Sequence, residues 1–258
     1  MSKTVVIGAS SGLGRCIGVG LARRGEDVAL LARRRERIEA AANEAGPRAT
    51  PIECDVTDEA SVRSAIGAAA GALDGIDNLI YTPAIGPLVR MVDTDAETWR
   101  RVFDTNVTGA ALATAAAVPH LRASAGKAIY LSSDAGSLTP PWPGLGAYGV
   151  SKAALVSLVD AWRGEHPDIG FTCLIVGECP GGEGDGQTGM SVGWDPELAM
   201  KAYPIWLSRG YMPGQLMPVE DLIEVVHTIL RTDAATSMPT VIARGAPAPA
   251  AVLDLNQA

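Results

Sequence analysis

No run in this sequence is long and apolar enough to cross a bilayer, which excludes an α-helical membrane span. No secretory signal is visible either: Ser2-Lys3 leads straight into the apolar run Thr4-Val5-Val6-Ile7, so a cytoplasmic location is expected. Basic charge is in deficit, with 21 Lys and Arg against 29 Asp and Glu, a net charge of −8 and a pI near 4.9. That balance argues against general affinity for nucleic acid or anionic membranes. The local exception is the cluster Arg33-Arg34-Arg35 and Arg37. Histidine is sparse, and His120, His166 and His227 are scattered without a ligand-like spacing, so no metal site is expected. The four cysteines, Cys16, Cys54, Cys173 and Cys179, contain no Cys-x-x-Cys pair and read as reduced core thiols.

What the chain has in quantity is apolar residues, 47% of its 258 positions, with a mean hydropathy of +0.16. That supplies a substantial core, and the length suits one large α/β domain spanning 1–258. Apolar runs alternate with helical stretches, the pattern of a parallel sheet covered on both faces. Strands are expected near 4–7, 28–32, 49–53, 79–82, 128–131, 171–176 and 239–243. Helices are expected over 12–24, 34–45, 59–72, 96–123, 147–165 and 219–231. The fold class is therefore α/β, a Rossmann-type doubly wound sheet of about seven parallel strands. No internal repeat and no convincing linker interrupts it.

Two regions break the rhythm. Residues 136–146 hold Pro140-Pro141-Trp142-Pro143-Gly144, a stiffened loop entering the next helix. Residues 177–193 are dense in glycine and acid, and Trp194, Trp206 and several methionines follow. This insert, 177–215, reads either as a mobile surface loop with a short helical pair or as a lid that closes on a cofactor and supplies apolar substrate walls. Residues 246–258, which begin Ala246-Pro247-Ala248-Pro249, read as a loosely held tail.

The chemistry gathers at two places. Gly8-Ala9-Ser10-Ser11-Gly12-Leu13-Gly14 follows a β-like run and opens a helix. Glycines there let the chain turn tightly and bring backbone N–H groups to a pyrophosphate at the helix N-terminus. After the second strand an NAD enzyme places a carboxylate for the ribose 2′-hydroxyl, but here stand Arg33 and Arg34. Arginine pairs bidentately with a 2′-phosphate, so NADP(H) is expected in preference to NAD(H). Asp55-Val56, after the third strand, reads either as a bracket for an adenine ring or as a plain turn. Farther on, Tyr148 and Lys152 stand four apart, which puts a phenol and an ammonium on one helix face. A free phenol titrates near pH ~10, and a neighbouring cation favours its ionised form.

These residues resemble the short-chain dehydrogenase/reductase family in its compact single-domain form. The resemblance runs from about Thr4 to Ala243 and rests on five markers in order: Gly8-x-x-x-Gly12-x-Gly14, Asp55-Val56, Asn106-x-x-Gly109, Ser132-Ser133 and Tyr148-x-x-x-Lys152. It implies that Tyr148 is the general acid/base. Lys152 would lower the Tyr148 pKa and hold the nicotinamide ribose. Ser133 would hydrogen-bond the substrate oxygen, and Asn106 would hold a water linking Lys152 to solvent. It further implies that the helices at 96–123 and 147–165, the first rich in alanine, form a dimer face, often within a tetramer.

The chain departs from the family pattern at several positions. Tyr81-Thr82-Pro83-Ala84 replaces the usual Asn-Asn-Ala-Gly, so Thr82 stands in for an amide in the cofactor contacts. Val176-Gly177 stands for Pro-Gly, Gly181 falls where a threonine is common with Thr188 as a substitute, and Ile7 sits where threonine is frequent. The expected activity is NADP(H)-dependent hydride transfer to or from a small carbonyl or secondary alcohol. Trp142, Trp194, Trp206, Met190 and Met212 suggest an apolar pocket for it. The competing reading is a catalytically silent dinucleotide-binding sensor on the same fold.

Overall fold

The computed structural model describes residues 1–181, 190–212, 214–233 and 236–246. Strands β1 (Lys3–Ile7), β2 (Asp27–Ala32), β3 (Ala49–Glu53), β4 (Asn78–Tyr81), β5 (Lys127–Ser133), β6 (Gly170–Val176) and β7 (Thr240–Ala243) form one sheet. Their spatial order is β3-β2-β1-β4-β5-β6-β7, and each pairing is parallel. The direction of winding reverses between β1 and β4, so a crevice opens at the carboxyl ends of those two strands.

Alternation along the strands sorts the core into two layers. Val5 and Ile7 of β1 face one layer with Ala29 and Leu31 of β2 and Ala128 and Tyr130 of β5. Val6, Val28, Leu30, Ile129 and Leu131 face the other. Helices α3 (Glu59–Leu73), α5 (Gly109–Ser124) and α7 (Gly146–Glu165) cover the first layer. Helices α1 (Gly12–Arg23), α2 (Arg35–Ala45) and α9 (Val219–Arg231) cover the second. Close approach is set by small residues: a Cβ on Gly18 of α1 would lie 2.4 Å from Leu30 Cδ2.

The stretch expected as one helix over 96–123 is not continuous. It divides into α4 (Ala96–Phe103), a π-helical turn at Asp104–Thr108, and α5. The Tyr81 hydroxyl donates to the Thr105 carbonyl at 2.5 Å and draws it out of the regular ladder. Gly109 lets the chain resume helix against β4, because a Cβ there would lie 2.5 Å from Tyr81 Oη. Such one-turn π segments are common at functional sites, and this one carries Asn106. Of the alanines in α5, Ala110, Ala113 and Ala117 are buried against the sheet and Ala116 is partly buried against the same core, whereas Ala115 is exposed.

In the insert a single helix, α8 (Pro196–Ser208), is present among the described residues, where one of the two readings had a helical pair. Asp195 caps it by accepting from Glu197 N at 2.9 Å. Two indole N–H groups pin it across the loops below: Trp194 donates to the Gly86 carbonyl at 2.7 Å and Trp206 to the Pro143 carbonyl at 2.9 Å. Trp142, Trp206 and Tyr211 pack into one aromatic group, Trp206 tilted against Trp142 at 5.3 Å and Tyr211 stacked on it at 5.8 Å between ring centroids. Thr188 and residues 247–258 of the expected tail lie outside the described residues. Among the described residues no helix is long and apolar enough to cross a membrane.

Candidate active site

The loop after β1 begins with Gly8 at φ +88, a conformation that favours glycine. Its fold is held by backbone N–H groups of Gly8 and Ala9, which both donate to the Leu31 carbonyl at 2.8 and 3.1 Å. Thr82 closes the other side, its hydroxyl donating to the Ile7 carbonyl at 2.7 Å. The threonine that replaces an amide thus ties β4 to the glycine loop, even though Pro83 offers no N–H. Gly14 is wedged in the same contact: a Cβ there would sit 2.2 Å from Thr82 Oγ1 and 2.6 Å from the Gly8 carbonyl oxygen. Gly14→Ala should therefore lower unfolding stability by about 2 kcal/mol, read as a shifted urea midpoint, and weaken dinucleotide affinity with it. An unchanged midpoint would show that the loop is looser than this packing.

Helix α1 starts without a side-chain cap on Ser11 and without an acidic residue in its first turn. Its first turn lines the cavity, and its N-terminal N–H groups are left without a capping side chain from Ser11. Arg34 arches over the loop and donates to Ser10 Oγ at 2.8 Å and Ser11 Oγ at 2.6 Å. Arg33 stands beside it on the same cavity wall. Asp55 sits apart from that wall. Burial pushes its carboxyl up, but the Thr57 N–H and hydroxyl and the Arg33 guanidinium outweigh burial and leave it below the ordinary carboxylate range. Thr57 N and Oγ1 lie 3.0 and 2.8 Å from Asp55 Oδ1, so the carboxylate caps a turn, while its neighbours Cys54 and Val56 reach the cavity.

One cavity of about 640 Å³ runs from this loop to the helix that carries Tyr148. Gly8, Ser10, Ser11, Gly12, Leu13 and Gly14 line one end with Arg33, Arg34, Val56 and Thr82. Ser133, Tyr148, Lys152 and Gly177 line the other. Ser133 ends β5 and caps the short helix α6 (Asp134–Ser137), where its hydroxyl donates to Asp134 Oδ1 at 3.3 Å. Tyr148 and Lys152 enter from the first two turns of α7. That helix lies close because a Cβ on Gly136 would meet the Gly149 carbonyl oxygen at 2.4 Å.

Lys152 is 2% exposed, and its ammonium donates to the Leu131 carbonyl at 2.6 Å and sits 5.7 Å from the centre of the Tyr148 ring. Burial pulls its pKa down to about 8, with the Cys173 thiol opposing that slightly. Burial pushes Tyr148 up to about 12; an interaction with Ser133 pulls the other way and the Asp134 carboxyl adds to the rise. Burial therefore outweighs the Ser133 interaction, and the chain's own groups hold the phenol protonated at neutral pH.

Asn106 does not reach the cavity wall. Its Nδ2 donates to the Ile85 carbonyl at 3.0 Å and Ser151 Oγ at 2.9 Å, and its Oδ1 accepts from Ile85 N at 2.8 Å. Both amide hydrogens are thereby engaged in tying the segment after β4 to α7. Two acidic residues on the wall, Asp134 and Glu178, were not picked out by sequence reasoning. The signal available was adjacency alone, since they directly follow Ser133 and Gly177. Over the Tyr148 end lie Met190 and Met212 from the insert and Trp142 and Leu145 from the proline-rich loop. At the other edge Gly181 touches the glycine loop, where a Cβ would lie 2.7 Å from Gly12 Cα.

The sequence model described as short chain dehydrogenase matches residues 2–187. Glycine betaine reductase of Emericella nidulans is 32% identical over 243 residues, 92% of this chain but only 18% of that protein's length. A Xanthobacter autotrophicus protein named inactive 2-(S)-hydroxypropyl-CoM dehydrogenase 2 is 33% identical over 220 residues, 83% of this chain and 90% of that one. An alcohol dehydrogenase from the archaeon Thermococcus sibiricus, solved with 5-hydroxy-NADP, superposes with a TM-score of 0.78 over 95% of this chain and 96% of that chain. At 23% identity that likeness is one of fold.

Proposed function

This chain belongs to the short-chain dehydrogenase/reductase family, and on that premise we propose that it is an NADP(H)-dependent oxidoreductase acting on a carbonyl or secondary alcohol. The observation that carries the reading is the single cavity lined by the glycine loop, Arg33, Arg34, Ser133, Tyr148 and Lys152. The residues fit a dinucleotide: the uncapped start of α1 suits a pyrophosphate, and side chains at Gly8 or Gly14 would clash within the loop that forms this end of the cavity. When bound, the nicotinamide supplies or accepts the hydride.

The chain's residues would divide the remaining work. The Tyr148 hydroxyl, protonated at neutral pH, donates its proton to the carbonyl oxygen as that oxygen gains charge. Ser133 Oγ turns from Asp134 to hydrogen-bond the same oxygen and stabilises the developing oxyanion. Lys152, positive at pH 7, keeps a cation beside the phenolate that remains and holds the ribose. Asn106 positions Ile85 and α7 relative to each other. This arrangement suits reduction near neutral pH, because oxidation requires Tyr148 to lose its proton first. Alcohol oxidation should accordingly accelerate from pH ~7 to ~9.5 while carbonyl reduction does not; parallel pH profiles would contradict that division.

Arg34 with Ser10 and Ser11 makes a preformed cradle for a 2′-phosphate. Arg34→Ala should raise KM for NADPH roughly tenfold to a hundredfold and leave KM for NADH nearly unmoved, the loss expected for charge-assisted hydrogen bonds. Equal effects on the two cofactors would assign the loop to NAD(H) instead. The general test is NADPH consumption across a panel of aldehydes and ketones. NADPH binding without any turnover would favour the silent, dinucleotide-sensing reading, to which the altered Thr82-Pro83-Ala84 stretch and the inactive Xanthobacter relative lend weight. Assembly as a homodimer or homotetramer through α4, α5 and α7 belongs to the same proposal, and light scattering at micromolar concentration tests it.

A further inference from the structure

The cavity wall that includes Tyr148 carries both apolar and acidic residues. Trp142, Leu145, Met190 and Met212 supply the apolar part. Asp134 and Glu178 supply the acidic part, from the segments that follow β5 and β6. The Asp134 carboxyl is near enough to Glu178 and to Tyr148 to raise the pKa of each. Asp134 is 4% exposed and has compensation: Ser133 Oγ donates to it, and the exposed Arg244 at the end of β7 attracts it. Glu178 has none. Its carboxyl makes no hydrogen bond or ion pair with any described residue, although its backbone carbonyl is held by Met217 N at 2.9 Å. Burial first, and Asp134 second, push it up to about 7. A half-buried carboxyl without a partner is costly, and a ligand cation relieves that cost where no protein cation does.

We propose that the cavity takes a carbonyl or alcohol substrate bearing an alkylammonium group, with the ammonium against Glu178 and Asp134 and the alkyl part against Trp142, Leu145, Met190 and Met212. This rests on the oxidoreductase reading above and names its substrate class. The chain's net charge of −8 draws cations toward the mouth. A purely apolar substrate would leave Glu178 buried deeper and still unpaired, whereas the cationic one satisfies both parts of the wall.

The test compares 5-(trimethylammonio)pentan-2-one with its neutral isostere 6,6-dimethylheptan-2-one on the full chain saturated with NADP⁺. Binding is read by calorimetry, which requires no turnover. The cationic ketone should bind about tenfold more tightly, the size of a partly screened ion pair. In Glu178→Gln that preference should fall to about twofold, and Asp134→Asn should reduce it less, because Arg244 already offsets that carboxylate. Equal affinities in the wild type, or a preference that survives both substitutions, overturn the proposal. Turnover with NADPH separates the two readings. Reduction of the neutral ketone without a cation preference leaves the oxidoreductase standing and removes the substrate class. A cation preference in binding without any turnover supports the cation site and removes the oxidoreductase.

Discussion

Tyr148→Phe is expected to lower kcat for carbonyl reduction by about a thousandfold, the scale of a lost general acid. The substitution removes one oxygen and keeps the ring, so the packed cluster that the ring shares with Leu88, Trp142 and Leu145 persists. The unfolding midpoint should therefore move little. Dinucleotide affinity, read from NADPH fluorescence, should stay within about threefold, because one hydroxyl contributes a single hydrogen bond. A large loss of kcat at nearly constant affinity is what separates a proton donor from a residue that merely shapes the pocket. Full activity in the variant would remove the assignment of Tyr148, and with it the reading of the cavity as a redox site.

Lys152→Met is expected to do two opposite things. Turnover should fall by about a hundredfold, since the phenolate left after proton transfer loses its adjacent cation. Stability at pH 7 should rise. The wild-type ammonium is buried and its pKa is pulled from the ordinary 10.5 to about 8, a cost of about 3 kcal/mol in the charged form. Methionine removes that cost but leaves the Leu131 carbonyl without its donor, which takes back about 1 kcal/mol. A net gain of about 2 kcal/mol corresponds to a Tm higher by about 4–8 °C in a domain of this size. The sign reverses nothing but fades with pH. Below pH 8 both folded and unfolded lysine are charged, and the burial cost is present in full. Between 8 and 10.5 the unfolded chain holds a proton that the folded chain has released, so this group's contribution to wild-type stability rises with pH. The Tm advantage of the variant should thus be greatest at pH 7 and nearly gone above about 10.5. A variant less stable than the wild type at pH 7 would mean that the ammonium is better solvated than its 2% exposure implies.

The strands were legible because a parallel sheet buried on both faces demands continuous apolar runs. Val5-Val6-Ile7 and Val28 to Ala32 had few other uses. The helix pattern failed at 104–108 for an equally physical reason. The π turn is imposed by a bond from Tyr81, far away in sequence, and periodicity within the segment carries no trace of it. The tyrosine–lysine pair was visible as a spacing. Its electrostatics were not, because the expected lowering of the phenol's pKa by Lys152 depends on how deeply both are buried, and burial wins. Asp134 and Glu178 went unnoticed as site residues because an acid beside a serine or a glycine is unremarkable until the strand ends are brought together.

By itself the sequence determined the layered α/β fold, the family and the identity of the residues around the glycine loop and α7, since these are written in local pattern and short spacing. Tertiary structure alone decided that the glycine loop, Arg34, Ser133, Tyr148, Lys152 and the two carboxyls share one cavity, and how strongly Tyr148, Lys152 and the carboxyls hold their protons. Those properties arise from distances and desolvation between strands far apart in the chain, and neither quantity is encoded at any single position.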